Sequence, residues 1–181
     1  PGIRGIVAEL LDADHRYATP IEAALGDAEQ YVVIDRRDDV VRSLDQLEET
    51  LEGRAGFLPL DSLRPAAGPV DVSLTEGVVG RAADLVRCDE AVRPVVECLL
   101  GSTLLVEDLN TALALVRGPL AGMRLVTLAG ETVEADGSLR LGRLTAKAGL
   151  ISRKSELRSL DEQLAPANER MVRRVRSPRR A

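Results

Sequence analysis

The feature that most restricts this chain is an internal repeat. The order helix, Leu-Gly, strand, Asp-started helix, strand occurs twice, offset by about 70–75 residues. In the first copy Thr19-Pro20-Ile21-Glu22 has the form of a helix start, with Thr as cap, Pro at the first helical position and Glu three residues after the cap. Leu25-Gly26 closes that helix, because glycine accepts the left-handed conformation at a helix end. Tyr31-Val32-Val33-Ile34 reads as a buried strand. Asp38-Asp39 opens a helix with Val40, Leu44, Leu47 and Leu51 along one face, Gly53 ends it, and Gly56–Leu60 is a second strand.

In the second copy Val92, Val95, Val96, Leu99 and Leu100 share a helical face that stops at Gly101. Pro94 belongs in the first turn of that helix, since an interior proline costs about 3 kcal/mol. Thr103–Val106 is the strand, Asp108 caps a helix carrying Leu109, Ala112, Leu113 and Val116, and Gly118-Pro119 breaks it before the strand Met123–Leu128. The reading is a mixed α+β fold of two related lobes, residues 1–66 and 67–149, with a linker near Arg64–Pro69.

Beyond the repeat, Asp136-Gly137 is a favoured hairpin turn between Glu131–Glu134 and Ser138–Leu141. From Leu150 the pattern changes. Leu150, Leu157, Leu164 and Met171 stand seven apart, with Leu160 and Ala167 on alternate seam positions, the signature of a coiled-coil strand over 150–165. Pro166 is expected to interrupt that helix, and 166–181 to form a basic tail.

Composition narrows the functions open to such a fold. One histidine, His15, and two cysteines ten residues apart, Cys88 and Cys98, supply neither a zinc knuckle nor a redox pair, so buried free thiols and a solvated loop histidine are expected. Gly77-Val78-Val79-Gly80 lacks the spacing and the Lys-Ser/Thr of a phosphate loop. Asp35, Asp38 and Asp39 fit a helix start facing its dipole better than a divalent-ion cluster. No catalytic set, metal site or cofactor is therefore expected. No apolar run reaches membrane-spanning length and Pro1-Gly2-Ile3-Arg4 lacks a signal-peptide layout, so a soluble cytoplasmic protein without membrane contact is expected. Charge is uneven: residues 1–150 carry 15 basic against 25 acidic side chains, and 151–181 carry 9 against 4. Nucleic-acid contact is thus sought at the C-terminal end.

Several stretches, in order, resemble the hinge of SMC (structural maintenance of chromosomes) proteins of the bacterial chromosome-partition type. Gly2–Leu10 is similar to the family's first strand, and Tyr17 with Ile21-Glu22-Ala23-Ala24-Leu25-Gly26 to its most recognisable helix. Gly53-Arg54-Ala55-Gly56-Phe57-Leu58-Pro59-Leu60 matches a family segment at eight ordered positions. Val79–Val86, Leu99-Leu100-Gly101, Val106–Leu109, Val126–Glu131 and Ile151–Leu157 continue the likeness over nearly all of 2–164. One departure stands out: a run of the form Gly-Gly-Ser-x-Thr-Gly-Gly is here Asp136-Gly137-Ser138-Leu139-Arg140-Leu141-Gly142.

The resemblance implies a non-catalytic hinge that pairs with a second hinge, as a homodimer, and joins two coiled-coil arms of a chromosome condensation and segregation ATPase. The ATP-binding heads would lie outside this chain, the localisation would be at the nucleoid, and accessory subunits are left open. Gly137, Leu139, Leu141 and Gly142 are the implied dimer interface. Arg143, Lys147, Arg153, Lys154 and Arg158, at the junction with the coiled coil, are the implied contact for weak, non-specific, phosphate-led DNA binding; a solvated helix face is the competing reading. A two-lobed α/β domain binding a small ligand or catalysing in its cleft is the alternative.

Overall fold

The structure, a computed structural model, describes residues 2–42, 53–64, 75–118, 120, 122–142 and 149–176, with side chains to 165. The predicted linker core and the positions Leu44, Leu47 and Leu51 lie outside the described residues.

The repeat starts earlier than the sequence reading placed it. Each lobe opens on a strand, β1 (Ile3–Ile6) or β5 (Val78–Arg81), that turns at once into a short helical segment, α1 (Val7–Leu10) or a 3-10 turn (Ala82–Leu85). A two-residue strand follows, β2 (Asp12–Ala13) or β6 (Val86–Arg87). Then come α2 (His15–Leu25) and its counterpart, a 3-10 turn running into α4 (Arg93–Leu100). Strand β3 (Val32–Ile34) corresponds to β7 (Thr103–Val106), α3 (Arg37–Arg42) to α5 (Leu109–Val116), and β4 (Phe57–Pro59) to β8 (Arg124–Thr127). Pairing repeats as well: β1 runs antiparallel to β3 and β3 parallel to β4, while β5 runs antiparallel to β7 and β7 parallel to β8. Even the irregularity is duplicated. Gly5 and Gly80 sit where each first strand shifts register, at φ +138° and +154°, conformations that side chains disfavour.

Lobe II adds a hairpin, β9 (Thr132–Val133) and β10 (Leu139–Arg140), which extends its sheet to the order β10-β9-β8-β7-β5; among the described residues the sheet of lobe I has the order β1-β3-β4. The lobes meet through β2 and β6, which pair antiparallel with Asp12 opposite Arg87 and Ala13 opposite Val86.

Alternation along the strands explains the burial. On β7, Leu105 enters a core shared by both lobes, while Leu104 and Val106 face the other way into a second cluster with Ala112, Leu120, Met123, Leu125 and Val133. The shared core joins Val7, Leu11, Ile21 and Val33 of lobe I to Val86, Val95, Val96, Leu100, Leu105 and Val126 of lobe II. The lobes thus share one hydrophobic core.

Several local expectations need correction. The helix preceding Leu25-Gly26 begins at His15, after Asp14, and Pro20 lies inside it. Ala18 N–H already donates to Asp14 O at 3.0 Å. Missing its own N–H, Pro20 leaves only the Arg16 carbonyl without its usual donor, and its ring is buried beside Ala18, Ile21 and Ala24. His15 is exposed, but as the first residue of this helix instead of a loop. Pro166 does not end the C-terminal helix: α6 runs Leu150–Arg176 through it, and so covers the start of the predicted tail. Cys88 and Cys98 are free thiols but only half-buried; burial pushes the Cys88 thiol up against the opposing pull of Arg93.

Candidate dimer edge and arm root

Strand β10 is held by its turn. Gly137, at φ +86°, lets its N–H donate to Glu134 O at 2.9 Å, while Glu134 N–H donates to Ser138 O at 2.8 Å. Asp136 Oδ1 accepts from Ser138 N–H at 2.8 Å, which holds that carboxyl below the usual carboxylate range. A Cβ built on Gly137 or Gly142 would meet nothing within 4 Å, so both flank open space. Leu139 and Leu141 are 45% and 60% exposed, unusual for leucines on a sheet border. The four predicted interface residues therefore collect at one edge of the five-stranded sheet.

The counterpart edge is in lobe I. Strand β8 has β9 on its outer side, whereas its equivalent, β4, borders nothing further among the described residues. Among the described residues, then, lobe I shows no counterpart of the hairpin that extends lobe II.

The C-terminal helix α6 (Leu150–Arg176) is rooted in lobe I. Ile151 and Ser155 are buried, and Ile151 belongs to the shared core. Glu22, only 8% exposed, points from α2 at the first turn of α6. Its Oε1 accepts from Ser152 N–H at 2.7 Å and its Oε2 from Ser152 Oγ–H at 2.6 Å. Lys154 Nζ donates to Glu9 O at 3.1 Å and Leu11 O at 3.3 Å, so a cation meets the carbonyl end of α1. Arg158 forms a two-pronged pair with both Asp12 oxygens. Asp12 also takes Arg87 Nε at 3.1 Å, while Arg87 Nη1 reaches Asp14 at 2.7 Å. Burial alone would raise the pKa of Asp12; the hydrogen bonds from Arg158 and Arg87 outweigh it and hold the carboxyl below its ordinary value.

Of the predicted DNA-contact residues, Lys154 and Arg158 therefore hold partners in lobe I, Lys154 while remaining exposed and Arg158 while half-buried, and Arg153 has a partner as well. Arg143 and Lys147 lie outside the described residues. Sequence reasoning missed Asp12 and Arg87, whose signal was the shared spacing of Gly5/Gly80, Ala8/Ala83, Leu10/Leu85 and Asp14/Asp89. It also gave Glu22 the wrong partner, its own helix instead of α6.

A half-open cleft of about 380 Å3 lies between the lobes, lined by Ala24, Leu25, Cys98, Leu99, Arg124 and Glu134 among others. Its charges are already matched, since Arg124 Nε pairs with Glu134 at 2.7 Å and Nη1 donates to Ala24 O at 2.9 Å. Among the described residues no group of His, Cys, Asp and Glu could hold a metal ion, and no helix is long and apolar enough to cross a membrane.

Residues 1–116 match the family model described as the SMC proteins Flexible Hinge Domain. The chain belongs to the SMC hinge family. This hinge is 35% identical over 171 residues to the chromosome partition protein Smc of Myxococcus xanthus, covering 93% of the chain and 14% of that protein. It is 40% identical over 149 residues to the Smc of Methanocaldococcus jannaschii, covering 82% of the chain and 12% of that protein. The hinge thus spans about one seventh of these relatives. Among solved structures, the Geobacillus stearothermophilus SMC hinge domain, an asymmetric dimer, matches with a TM-score of 0.82 at 35% identity, over 96% of this chain and 71% of that one. The Pyrococcus furiosus SMC hinge domain matches at 0.68 and 32%, over 81% and 75%.

Proposed function

We propose that this hinge is the dimerisation module of a chromosome-partition SMC protein, joining two coiled-coil arms. It acts by contact, and the ATPase heads belong to parts of the parent protein beyond this chain. The observation that carries the reading is the mismatch between the lobes among the described residues: β8 is flanked by the β9–β10 hairpin, and β4 borders no further strand. An open strand border is a liability that proteins cover. The β10 edge of a second copy supplies the missing cover for β4, and two-fold symmetry makes the exchange reciprocal, closing a ring with two like contacts. The exposed Leu139 and Leu141 give that border apolar surface, and Gly137 and Gly142 permit close backbone approach. The dimeric state of the similar Geobacillus hinge supports the same reading.

DNA contact is the subordinate part of the proposal. It is weak, non-specific and phosphate-led, centred on Arg143 and Lys147 and at the nucleoid in the cell, because Lys154 and Arg158 hold internal partners.

Cross-linking tests the edge assignment. Two differently tagged chains in a Cys88→Ser, Cys98→Ser background are mixed, one carrying Leu141→Cys, the other Ala55→Cys or Ser62→Cys, which flank β4 on its two sides. A flexible bis-maleimide should join the two tags through one of these pairs, whichever way the strands run. No mixed product from either pair would remove β4 as the partner of β10.

A further inference from the structure

Three side chains within the first nine residues of α6 bind the arm root, and all three partners belong to lobe I. Ser152 meets Glu22 of α2, Lys154 meets the carbonyl end of α1, and Arg158 meets Asp12 of β2. Just ahead of Ser152, Ile151 seals into the shared core, and Ser155 is buried one turn later. Lobe II reaches the same Asp12 carboxylate through Arg87.

Glu22 differs in kind from the other two anchors. Lys154 and Arg158 lie along the side of α6, whereas Glu22 sits at its origin, where the first N–H groups have no partner within the helix. Its carboxylate serves as a cap delivered from another helix. The approach is close: a Cβ on Gly149 would stand 2.5 Å from Glu22 Oε1, so any side chain there would push the carboxylate aside. A cap from the helix's own chain would follow the arm wherever it tilted. A cap from α2 holds only one direction, because the donor N–H must point at a carboxylate fixed in the core.

We propose that Glu22 is a positioning residue that fixes the direction in which the arm leaves the hinge, making α6 a rigid outgrowth of lobe I. The inference rests on the hinge reading and adds how the hinge hands its geometry to the arm. Any rotation of lobe I then reaches the far end of α6 undiminished. With 27 residues at about 1.5 Å each, a tilt of ~10° at the root would displace the far end by ~7 Å.

The test is a spin-label distance within one chain, between Gln30→Cys on lobe I and Asp161→Cys on the arm. Both positions are exposed, the background is Cys88→Ser, Cys98→Ser, and unlabelled chain dilutes the sample so that only intrachain pairs contribute. Wild type should give one narrow distance. Glu22→Ala should broaden it about twofold, as loss of a cap loosens the first helical turn. Glu22→Gln should restore most of the narrowness, because the amide oxygen still accepts from Ser152 N–H. Should Glu22→Ala fail to fold, Gly149→Ala, which crowds the carboxylate from the other side, should broaden the distance in the same way. A distribution as narrow and as centred as wild type in the readable variant would overturn the proposal. Because the distance lies within one chain, failure of dimerisation would change the sedimentation mass and leave this readout standing.

Discussion

Asp12 and Arg87 occupy the same place in the two lobes, 75 residues apart, and face each other across the β2–β6 pair. Where duplicated strands meet at an internal two-fold, equivalent positions become direct neighbours. Two copies of one residue would then put like charges opposite each other, which is destabilising. Here the copies have opposite charge, and Nε of Arg87 lies 3.1 Å from Asp12. Arg158 of the arm joins the same carboxylate, so the seam between lobes and the arm root share one anion.

Asp12 should therefore matter more than either of its cations. Asp12→Ala frees two guanidinium groups and should cost about 1 kcal/mol, near the upper range for half-exposed pairs; Arg87→Ala, which leaves the Arg158 pair intact, should cost less. Urea midpoints for the two variants check this. Equal losses would mean that Arg158 adds nothing.

Acid should reach this seam selectively. Because the Asp12 carboxyl is held below its unfolded value of about 3.9, its stabilisation is fully present above that value and is lost as pH falls through the lower folded value. Unfolding followed from pH 6 downward should show wild type losing stability faster below about pH 4 than Asp12→Asn does. Parallel curves would contradict the assignment.

The shared core should make unfolding a single event. Leu105→Ala removes a fully buried side chain that contacts both lobes, with an expected cost of about 2–5 kcal/mol. Circular dichroism and hydrogen exchange of lobe I amides should report the same lowered stability. A lobe I that keeps wild-type protection would mean two independent domains.

Substitution on the open border should separate association from folding. Leu139→Asp and Leu141→Asp alter exposed positions and should change the stability of the single chain by less than about 0.5 kcal/mol, yet weaken the dimer by at least about tenfold, as an unpaired charge is buried. Sedimentation velocity reads both species. An undiminished dimer would place the contact elsewhere.

Among the basic residues the expected outcomes diverge. Arg143→Glu with Lys147→Glu should lower DNA binding measured by fluorescence anisotropy and flatten its salt dependence. Arg158→Glu should chiefly loosen the arm root, because its charge is committed to Asp12. Equal loss of DNA binding in both would show that Arg158 leaves Asp12 for phosphate.

Much of this was legible in the sequence because it rests on local rules. A β-branched run gave β3, the repeated order of elements gave β7, Asp108 gave the start of α5, and Asp136-Gly137 gave the β9–β10 hairpin. The start of α2 was not legible, since Pro20 reads as a first-turn residue yet lies buried inside the helix. The roles of Glu22, Asp12 and Arg158 were hidden for a different reason. Their partners lie 130 and 146 residues away, and nothing in local spacing encodes which acid meets which base.

Reciprocal pairing of two hinges is tried most directly by sedimentation equilibrium of the purified chain at tens of micromolar. With a chain mass of 19.5 kDa, the expected species has twice that mass and returns to the single-chain value with Leu139→Asp. A wild-type chain that stays at 19.5 kDa across that range would contradict the pairing.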